Sequence, residues 1–457
     1  MKAYAEFLEK KRLWDKPSGH EPEQTINPKL FPFQADIVRW ALRRGRAAVF
    51  ADCGLGKTPI QLEWAHHVAK KERGPVLILA PLAVAEQTHD EGEKFNISVR
   101  VCEGQEDVRH GVNVTNYEKL HRFDPSAFVG VVLDESSIIK DFEGQFRNLV
   151  IDSFSRTPYR LACTATPAPN DWAELGNHCE FLGVMSRMEM LAMFFINDAS
   201  DTGTWRLKGH AKSREFWRWL CSWAVMLSAP SDLGYSDEGF QLPELRYHEH
   251  RILTSTRGNG FLPDLVTDMR DRRRIRKETV EERCRLAREL VNKEEGNWVL
   301  WCGLNAESEL LASLISGAVE VTGSQPAEEK AASMRRFARE GGVIITKPRI
   351  AGRGMNWQIA RRMAFVGLND SWEDLYQAVR RLWRFGQQEP VDVHLIIEER
   401  EGSVLENVKR KDEQARAMVQ AMVGHTKTIM RAEIGATGRE ATSYEPVDEM
   451  EIPKWIA

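Results

Sequence analysis

Residues 51–58 restrict the fold of this chain more than any other segment. They read Ala-Asp-Cys-Gly-Leu-Gly-Lys-Thr, and they lie between an apolar run at residues 47–50 and a helical pattern that begins near Pro59. A glycine-rich turn between a buried strand and a helix directs several backbone N–H groups towards one point, which suits a phosphate group. The segment therefore predicts an α/β protein with a nucleotide phosphate site at this turn.

The residue types in the turn also suggest how phosphates and a metal ion are held. Lys57 is placed to reach the β- and γ-phosphates, and the Thr58 hydroxyl is placed to bind Mg²⁺. The strict pattern has glycine at the first position, where this chain has Ala51, but a small side chain still permits the turn. The predicted ATP-binding residues of the turn are Cys53, Gly54, Leu55, Gly56, Lys57 and Thr58.

Short apolar runs alternate with helical patterns in two long regions of the chain. The runs are residues 47–50, 76–79, 112–114 and 129–133 in the first region, and 298–301, 319–321, 343–345, 363–366 and 391–397 in the second. Apolar runs of this length between helices are typical of a parallel sheet that is covered on both faces. We therefore expect two α/β domains in tandem.

Shifts in composition predict the domain boundaries. The expected order is an N-terminal arm (residues 1–27), a first, ATP-binding domain (28–180), a helical insertion (181–245), a basic linker (246–280), a second domain (281–425) and a polar tail (426–457). The insertion contains Trp217 and Trp219, which either pack inside it or contact nucleic-acid bases. The arginine cluster around Arg273 in the linker is either a solvated helix face or a phosphate contact.

Bulk composition excludes several classes of protein. The chain of 457 residues is 42% hydrophobic, which is too apolar for a disordered chain. Its seven cysteines include no C-x-x-C pair, which argues against a structural zinc site. The net charge of −4 does not indicate a nucleic-acid binder, so any such surface must be local. We find no signal-peptide pattern and no membrane-length apolar run, and we expect a cytoplasmic protein.

Asp134 and Glu135 directly follow one of the predicted strands. A phosphate loop needs an acidic partner site that holds the metal ion and orients the attacking water. Asp134 is the candidate Mg²⁺ ligand, and Glu135 is the candidate base that positions and deprotonates the water. An Asp-Glu pair at a strand end is a weak signal alone, but together with the phosphate loop it is a strong one.

Residues 377–387 offer a cation that neither of these sites provides. In this run, Gln-Ala-Val-Arg-Arg-Leu-Trp-Arg-Phe-Gly-Gln, helical spacing puts Gln377, Arg381 and Arg384 on one face. A guanidinium from a facing domain can neutralise the charge that develops on a γ-phosphate, as an arginine finger does. The alternative for this run alone is a surface helix with salt bridges.

Together these motifs resemble helicase superfamily two, and most closely its Swi/Snf-type branch of DNA translocases. The matching segments follow in order: residues 30–34, the phosphate loop, 80–87, 115–118, 134–137, 164–175, 242–243, 346–356 and 372–387, the last with the ending Arg-x-x-Arg-x-Gly-Gln. The resemblance implies an α/β fold of two tandem RecA-like domains with a helical insertion between them. It also implies a motor that uses ATP and Mg²⁺.

The resemblance further implies roles for single residues. Gln34 is the expected adenine reader, and Arg381 and Arg384 are the expected arginine fingers. Gly354 and Asn356 belong to the expected ATP-binding set. The expected coupling residues are Ser137, Thr164, Thr166 and Gln377, and the expected nucleic-acid contacts are Pro81, Asn116, Thr346 and Lys347.

The chain departs from the pattern of the branch in three places: about two extra residues at 348–350, residues 228–232 in place of a basic run, and residues 134–137. Residues 134–137 read Asp-Glu-Ser-Ser where the branch usually has Asp-Glu-Ala-His, so Ser137 replaces a histidine. The resemblance favours a compact motor of phage or bacterial type that tracks along double-stranded DNA, with single-stranded DNA or RNA still possible as partners. The alternatives are a strand-separating DNA or RNA helicase, a nucleotide-gated DNA-binding scaffold with little hydrolysis, and a small-molecule phosphotransferase.

Overall fold

The computed structural model describes most of the chain, and helices and strands are numbered below along the sequence. The described residues are 13–15, 18–81, 84–139, 144–168, 171–197, 205–209, 215–252, 269–351, 355–368, 371–399, 402–435 and 442–443. Gly354, one of the expected ATP-binding residues, lies outside them. Two short strands near the ends of the chain, β1 (Leu13–Asp15) and β17 (Thr442–Ser443), pair antiparallel with each other.

The first domain contains a seven-stranded sheet and the helices that connect its strands. Its strands are β2 (Arg46–Ala51), β3 (Pro75–Ala80), β4 (Val99–Val101), β5 (Gly111–Asn116), β6 (Gly130–Asp134), β7 (Tyr159–Thr164) and β10 (Ala224–Leu227). Its helices are α1 (Pro32–Arg44), α2 (Lys57–Glu72), α3 (Ala85–Lys94), α4 (Gln145–Ser153), α5 (Leu175–Leu182), α6 (Arg187–Phe194) and α7 (Phe216–Trp223). A small antiparallel pair, β8 (Phe195–Asn197) and β9 (Trp205–Leu207), lies between α6 and α7.

All neighbouring strands of the first sheet run parallel, in the order β10-β2-β7-β6-β3-β5-β4. Alternate residues of β2 enter different cores: Val49 belongs to the apolar cluster on one face, and Phe50 belongs to the cluster on the other. This two-sided burial explains the continuous apolar runs in the sequence. Because the strands are parallel, the phosphate loop, Asp134 and Thr164 all lie at the same edge of the sheet.

The second domain has a six-stranded sheet, again parallel throughout, in the order β11-β16-β15-β12-β14-β13. Its strands are β11 (Leu245–Ile252), β12 (Trp298–Trp301), β13 (Val319–Glu320), β14 (Val343–Thr346), β15 (Arg362–Phe365) and β16 (Val391–Glu398). Its helices are α8 (Met269–Glu278), α9 (Val280–Lys293), α10 (Asn305–Leu314), α11 (Ala327–Glu340), α12 (Pro348–Ala351) and α13 (Trp372–Val379), followed by α14 (Gly402–Gly435). The predicted fold of two tandem RecA-like domains is confirmed.

Two segments differ from the sequence prediction because they complete the two sheets. The strand β10 lies inside the segment predicted as a helical insertion, but it pairs with β2 as the edge strand of the first sheet. The strand β11 lies in the predicted basic linker, but it pairs with β16 along its whole length. In both cases the pairing partner is far away in the sequence, so the local pattern carries no signal for it. The domain boundaries themselves stay predictions.

The predicted polar tail also differs, because α14 continues through residue 435. Early in the helix, Leu405 packs in a core cluster of the second domain, whereas Met422 and Met430 pack in the two clusters of the first domain. The helix therefore braces one domain against the other. Although α14 has 34 residues, neither it nor any other helix in the described residues is long and apolar enough to cross a membrane.

Candidate nucleotide site and nucleic-acid contacts

The phosphate loop connects β2 to α2, as the sequence predicts. Gly54 (φ 91°) and Gly56 (φ 79°) both have left-handed backbone conformations, which glycine adopts without strain. The ammonium group of Lys57 donates to the carbonyl oxygen of Ala51 at 2.9 Å, so it lies across the loop. Thr58 is in the first turn of α2, whose N-terminus carries partial positive charge. The loop therefore has the geometry that a phosphate group needs.

Gln34 connects the N-terminal helix α1 to this loop. Its amide nitrogen donates to the carbonyl oxygen of Leu55 at 3.0 Å, and its amide oxygen accepts from the backbone N–H of Phe31 at 3.0 Å. A Cβ atom at Gly56 would lie 2.1 Å from the Gln34 amide nitrogen, so any larger residue there would displace the Gln34 side chain. Gln34 thus fixes the loop from one side, and its expected contact with adenine stays a prediction.

Asp134 ends β6 and lies beside α2. Its carboxylate accepts from the Gln61 side chain at 2.7 Å, and it is only 7% exposed. Burial, with the charge of Glu135 as a second cause, raises the pKa of Asp134 to about 6, while Gln61 and Lys57 act in the opposite direction. A buried carboxylate with a raised pKa is poised to gain from a bound cation.

The expected Mg²⁺ ion fits this arrangement. Within the described residues no group of three or more Asp, Glu, His and Cys side chains could hold a metal ion by itself. Mg²⁺ commonly takes one or two protein oxygens and completes its shell with water and substrate phosphates. The buried carboxylate of Asp134 and the hydroxyl of Thr58 are the protein oxygens that would hold it. Because Asp134 is partly desolvated, the ion would supply charge that the protein leaves uncompensated.

Glu135 follows in a left-handed conformation (φ 52°), which is unusual for a residue with a side chain. The conformation turns the chain sharply after β6, and the Glu135 side chain stays 8% exposed. The hydroxyl of Thr164, at the end of β7, lies 3.5 Å from its carboxylate. Thr164 also accepts the backbone N–H of Thr166 at 3.1 Å. The expected coupling segment therefore touches the expected catalytic base directly.

Three expected coupling residues carry buried polar atoms that lack a hydrogen-bond partner among the described residues. These atoms are the hydroxyl oxygens of Ser137 and Thr166 and the amide nitrogen of Gln377. A buried polar group without a partner costs about 1–3 kcal/mol. Such groups are uncommon in folded proteins, and they concentrate where a ligand or another conformation supplies the partner.

The two expected arginine fingers differ in their surroundings. Arg384 interacts electrostatically with Cys53 and Glu135 of the first domain, although burial and the nearby Arg381 lower the pKa of Arg384 to about 10. Its guanidinium also donates to Asn356, an expected ATP-binding residue. Arg381 lies inside the second domain, where it donates to the carbonyl oxygens of Gln377 (3.0 Å) and Met355 (3.3 Å). Of the two expected fingers, Arg384 is therefore the one beside the nucleotide loop, where its neighbour Phe385 packs against Gly54.

The four expected nucleic-acid contacts lie at or just after the carboxyl ends of strands, but they differ in accessibility. Pro81 follows β3 and is half-buried. Lys347 follows β14, and its ammonium group donates to Asn305 at 2.5 Å. Asn116 is 4% exposed and caps a short helix. Thr346 is fully buried and donates to the carbonyl of Val321 at 3.0 Å, so its side chain does not reach solvent in this structure.

The aromatic insertion is packed rather than exposed. Trp217 and Trp219 are 3% and 2% exposed, and both belong to the apolar cluster that covers one face of the first sheet. Trp217 also stacks on His425 of α14, with ring centroids 4.7 Å apart. Of the two interpretations left open by the sequence, packing is the one the structure favours.

One set of contacts at the loop is absent from the sequence prediction. The carboxylate of Asp52 accepts from Arg380 at 2.5 Å and from the Tyr376 hydroxyl at 2.6 Å, across the gap between the domains. Arg380 stands next to Arg381 in the run 377–387, three residues after Gln377 and four before Arg384, so helical spacing puts it beside the face predicted for those residues. The place of Arg380 in that run was the only feature of the sequence that pointed to this residue.

Comparisons with known proteins find sequences that are similar to this chain. The family described as "Helicase conserved C-terminal domain" matches residues 282–386, a range that includes Arg381 and Arg384. The "DNA annealing helicase and endonuclease ZRANB3" of Bos taurus is 23% identical over 426 residues, which cover 81% of this chain and 38% of that protein. The Mus musculus protein of the same name is 24% identical over 434 residues, 81% of this chain and 39% of that protein. This chain thus spans about two fifths of the length of these relatives.

Proposed function

Because this chain is a member of helicase superfamily two, of the Swi/Snf type, we propose that it is a DNA-stimulated ATPase that moves along double-stranded DNA. The observation that carries the proposal is that two half-sites, one formed by each domain, meet across the gap between the domains. The first domain contributes the phosphate loop, Asp134 and Glu135, and the second contributes Arg384, whose neighbour Phe385 packs against Gly54 of the loop.

In the proposed reaction, each half-site has a separate task. Lys57 and the loop N–H groups bind the β- and γ-phosphates of ATP, and Thr58 and Asp134 would hold Mg²⁺, which would neutralise phosphate charge. Glu135 positions the attacking water and accepts its proton. Arg384 stabilises the charge that develops on the γ-phosphoryl group, and arginine fingers of GTPases contribute about 10³-fold or more in this way.

Movement requires that hydrolysis changes how the two domains meet. The unpaired atoms of Ser137, Thr166 and Gln377 support a second arrangement, because a domain movement could give these buried groups their partners. Thr164 connects this segment to Glu135. We propose that ATP binding draws the domains together and that hydrolysis releases them, with Pro81 in one domain and Lys347 in the other lying along the nucleic-acid grip and the buried side chains of Asn116 and Thr346 at the strand ends next to them.

Two observations favour double-stranded DNA as the track. Both relatives are described as DNA annealing helicases, and we propose DNA as the nucleic acid for this chain on that basis. A strand-separating helicase needs a wedge, and the aromatic candidates Trp217 and Trp219 are both buried. The ATP-dependent displacement of a third strand from a DNA triplex therefore tests the proposal, because it reports tracking without separation of the duplex.

The experiment compares a triplex with a forked duplex of the same sequence. We expect ATP-dependent release of the third strand and no release of a strand from the fork. The Glu135→Gln variant is the matched control, since it should bind ATP and fail to hydrolyse it. Release from the fork but not from the triplex would favour the strand-separating alternative, and release from neither would refute the motor.

A further inference from the structure

The second domain holds the phosphate loop through a carboxylate that no step of the proposed hydrolysis uses. Asp52 precedes the loop glycines, and its Oδ2 atom lies 2.5 Å from a guanidinium nitrogen of Arg380. Its Oδ1 atom accepts from the Tyr376 hydroxyl at 2.6 Å and from the backbone N–H of Cys53 at 2.7 Å. One carboxylate therefore binds both its own loop and the opposite domain.

Contacts within its own domain hold Arg380 in place for this pairing. It follows α13, its side chain is 8% exposed, and its guanidinium lies 4.5 Å from the centre of the Trp383 ring and 5.2 Å from that of Tyr376. The Trp383 indole in turn donates to the carbonyl oxygen of Pro243, which precedes β11. The guanidinium is therefore fixed by aromatic rings of its own domain before it reaches Asp52.

The second domain also approaches the loop closely at Gly54, two residues after Asp52. A Cβ atom at Gly54 would lie 2.7 Å from the backbone nitrogen of Phe385, so the second domain packs where only glycine leaves room. The pair of Asp52 and Arg380 also borders a mainly apolar cavity of about 770 Å³ between the domains and α14. The contact to the loop thus stands at the edge of a cavity between the domains.

The charge of Asp52 matters because triphosphate enters the same loop. A carboxylate beside bound phosphates repels them, and a partly buried carboxylate is poorly screened by solvent. Arg380 removes this repulsion by pairing with Asp52. We propose that Arg380 is a positioning residue for ATP. With the help of Tyr376, Arg380 neutralises and orients Asp52, and it thereby links the conformation of the phosphate loop to the second domain. This inference rests on the proposed ATPase function.

A double-mutant cycle tests the inference. We expect Arg380→Ala to raise KM for ATP about tenfold while kcat falls less than about threefold, because an uncompensated charge near the phosphates weakens binding. Asp52→Asn alone should leave KM within about twofold of the wild-type value. The double variant Asp52→Asn/Arg380→Ala should return KM to near the wild-type value, which a purely structural role of Arg380 would not predict. Arg416→Ala is the matched control, since Arg416 pairs with Asp412 on α14 and does not contact the loop.

Direct binding of a fluorescent ATP analogue provides a readout that does not depend on turnover. The same pattern of lost and restored affinity should appear there, with thermal melting of each variant as the check on folding. Binding that follows the pattern without any hydrolysis would support the inference while refuting the proposed ATPase. A double variant that stays as weak as Arg380→Ala would overturn the inference. Tighter binding by Arg380→Ala would also overturn it, because the pair would then be a contact that ATP has to break.

Discussion

The replacement Asp134→Asn should make the nucleotide-free protein more stable while it abolishes hydrolysis. Asp134 is 7% exposed, and burial raises its pKa from 3.8 to about 6. A carboxyl group whose pKa is raised on folding lowers stability at neutral pH, because its ionisation costs more free energy in the folded state than in the unfolded state. An asparagine occupies nearly the same volume without charge, and its amide oxygen can still accept the hydrogen bond from Gln61.

The size and pH dependence of this gain follow from the two pKa values. Below pH 3.8 the carboxyl group is protonated in both folded and unfolded states, so the variant has no advantage. Between pH 3.8 and about 6 only the unfolded state is ionised, so wild-type stability falls as pH rises. Above about pH 6 the difference is constant, and a shift of about two pKa units corresponds to about 3 kcal/mol.

The assay is urea denaturation of the wild type and of Asp134→Asn at several pH values from 4 to 8, without nucleotide or Mg²⁺. Asp152→Asn is the matched control, since Asp152 is an exposed carboxylate on the same domain. A stability difference between wild type and Asp134→Asn that does not grow between pH 4 and 6 would refute the burial argument. Addition of MgATP should then stabilise only the wild type, because the proposed metal site needs a carboxylate at this position.

Three further predictions concern the proposed reaction and the brace between the domains. Glu135→Gln should bind ATP with near wild-type affinity but lose turnover, and a wild-type rate would remove Glu135 from the role of base. Arg384→Ala should lower kcat about 10³-fold, whereas Arg381→Ala should mainly lower the free energy of unfolding. Steady-state kinetics and urea denaturation distinguish the two variants. Equal losses of kcat would contradict the different roles inferred for the two arginines. Met430→Ala should lower the free energy of unfolding by about 2–5 kcal/mol because Met430 is fully buried, and Met188→Ala, at a residue 66% exposed, should change it little.

Local patterns were sufficient for much of the fold. The apolar runs at residues 76–79 and 129–133 became buried strands because a parallel sheet covered on both faces needs apolar residues on both sides of each strand. The phosphate loop was predictable because its glycines are a direct requirement of backbone geometry. The strands β10 and β11 were missed because their pairing is decided by partners far along the chain.

The helix α14 and the contacts across the gap were missed for a related reason. The apolar residues of α14 are divided between two domains, so its last turns looked like part of a polar tail. The contact of Asp52 with Arg380 joins residues that are 328 positions apart, and neither residue belongs to a pattern that specifies the other. Contacts between domains depend on how the domains dock, which local periodicity does not encode.

The measurement that tests the central claim most directly is the steady-state ATPase rate without nucleic acid and with duplex DNA, single-stranded DNA or RNA. Glu135→Gln serves as the blank, and the series is repeated at increasing salt, since a grip through phosphates weakens as salt rises. The account predicts the greatest stimulation with duplex DNA and a loss of that stimulation at high salt. A rate that is the same with and without every nucleic acid would contradict it.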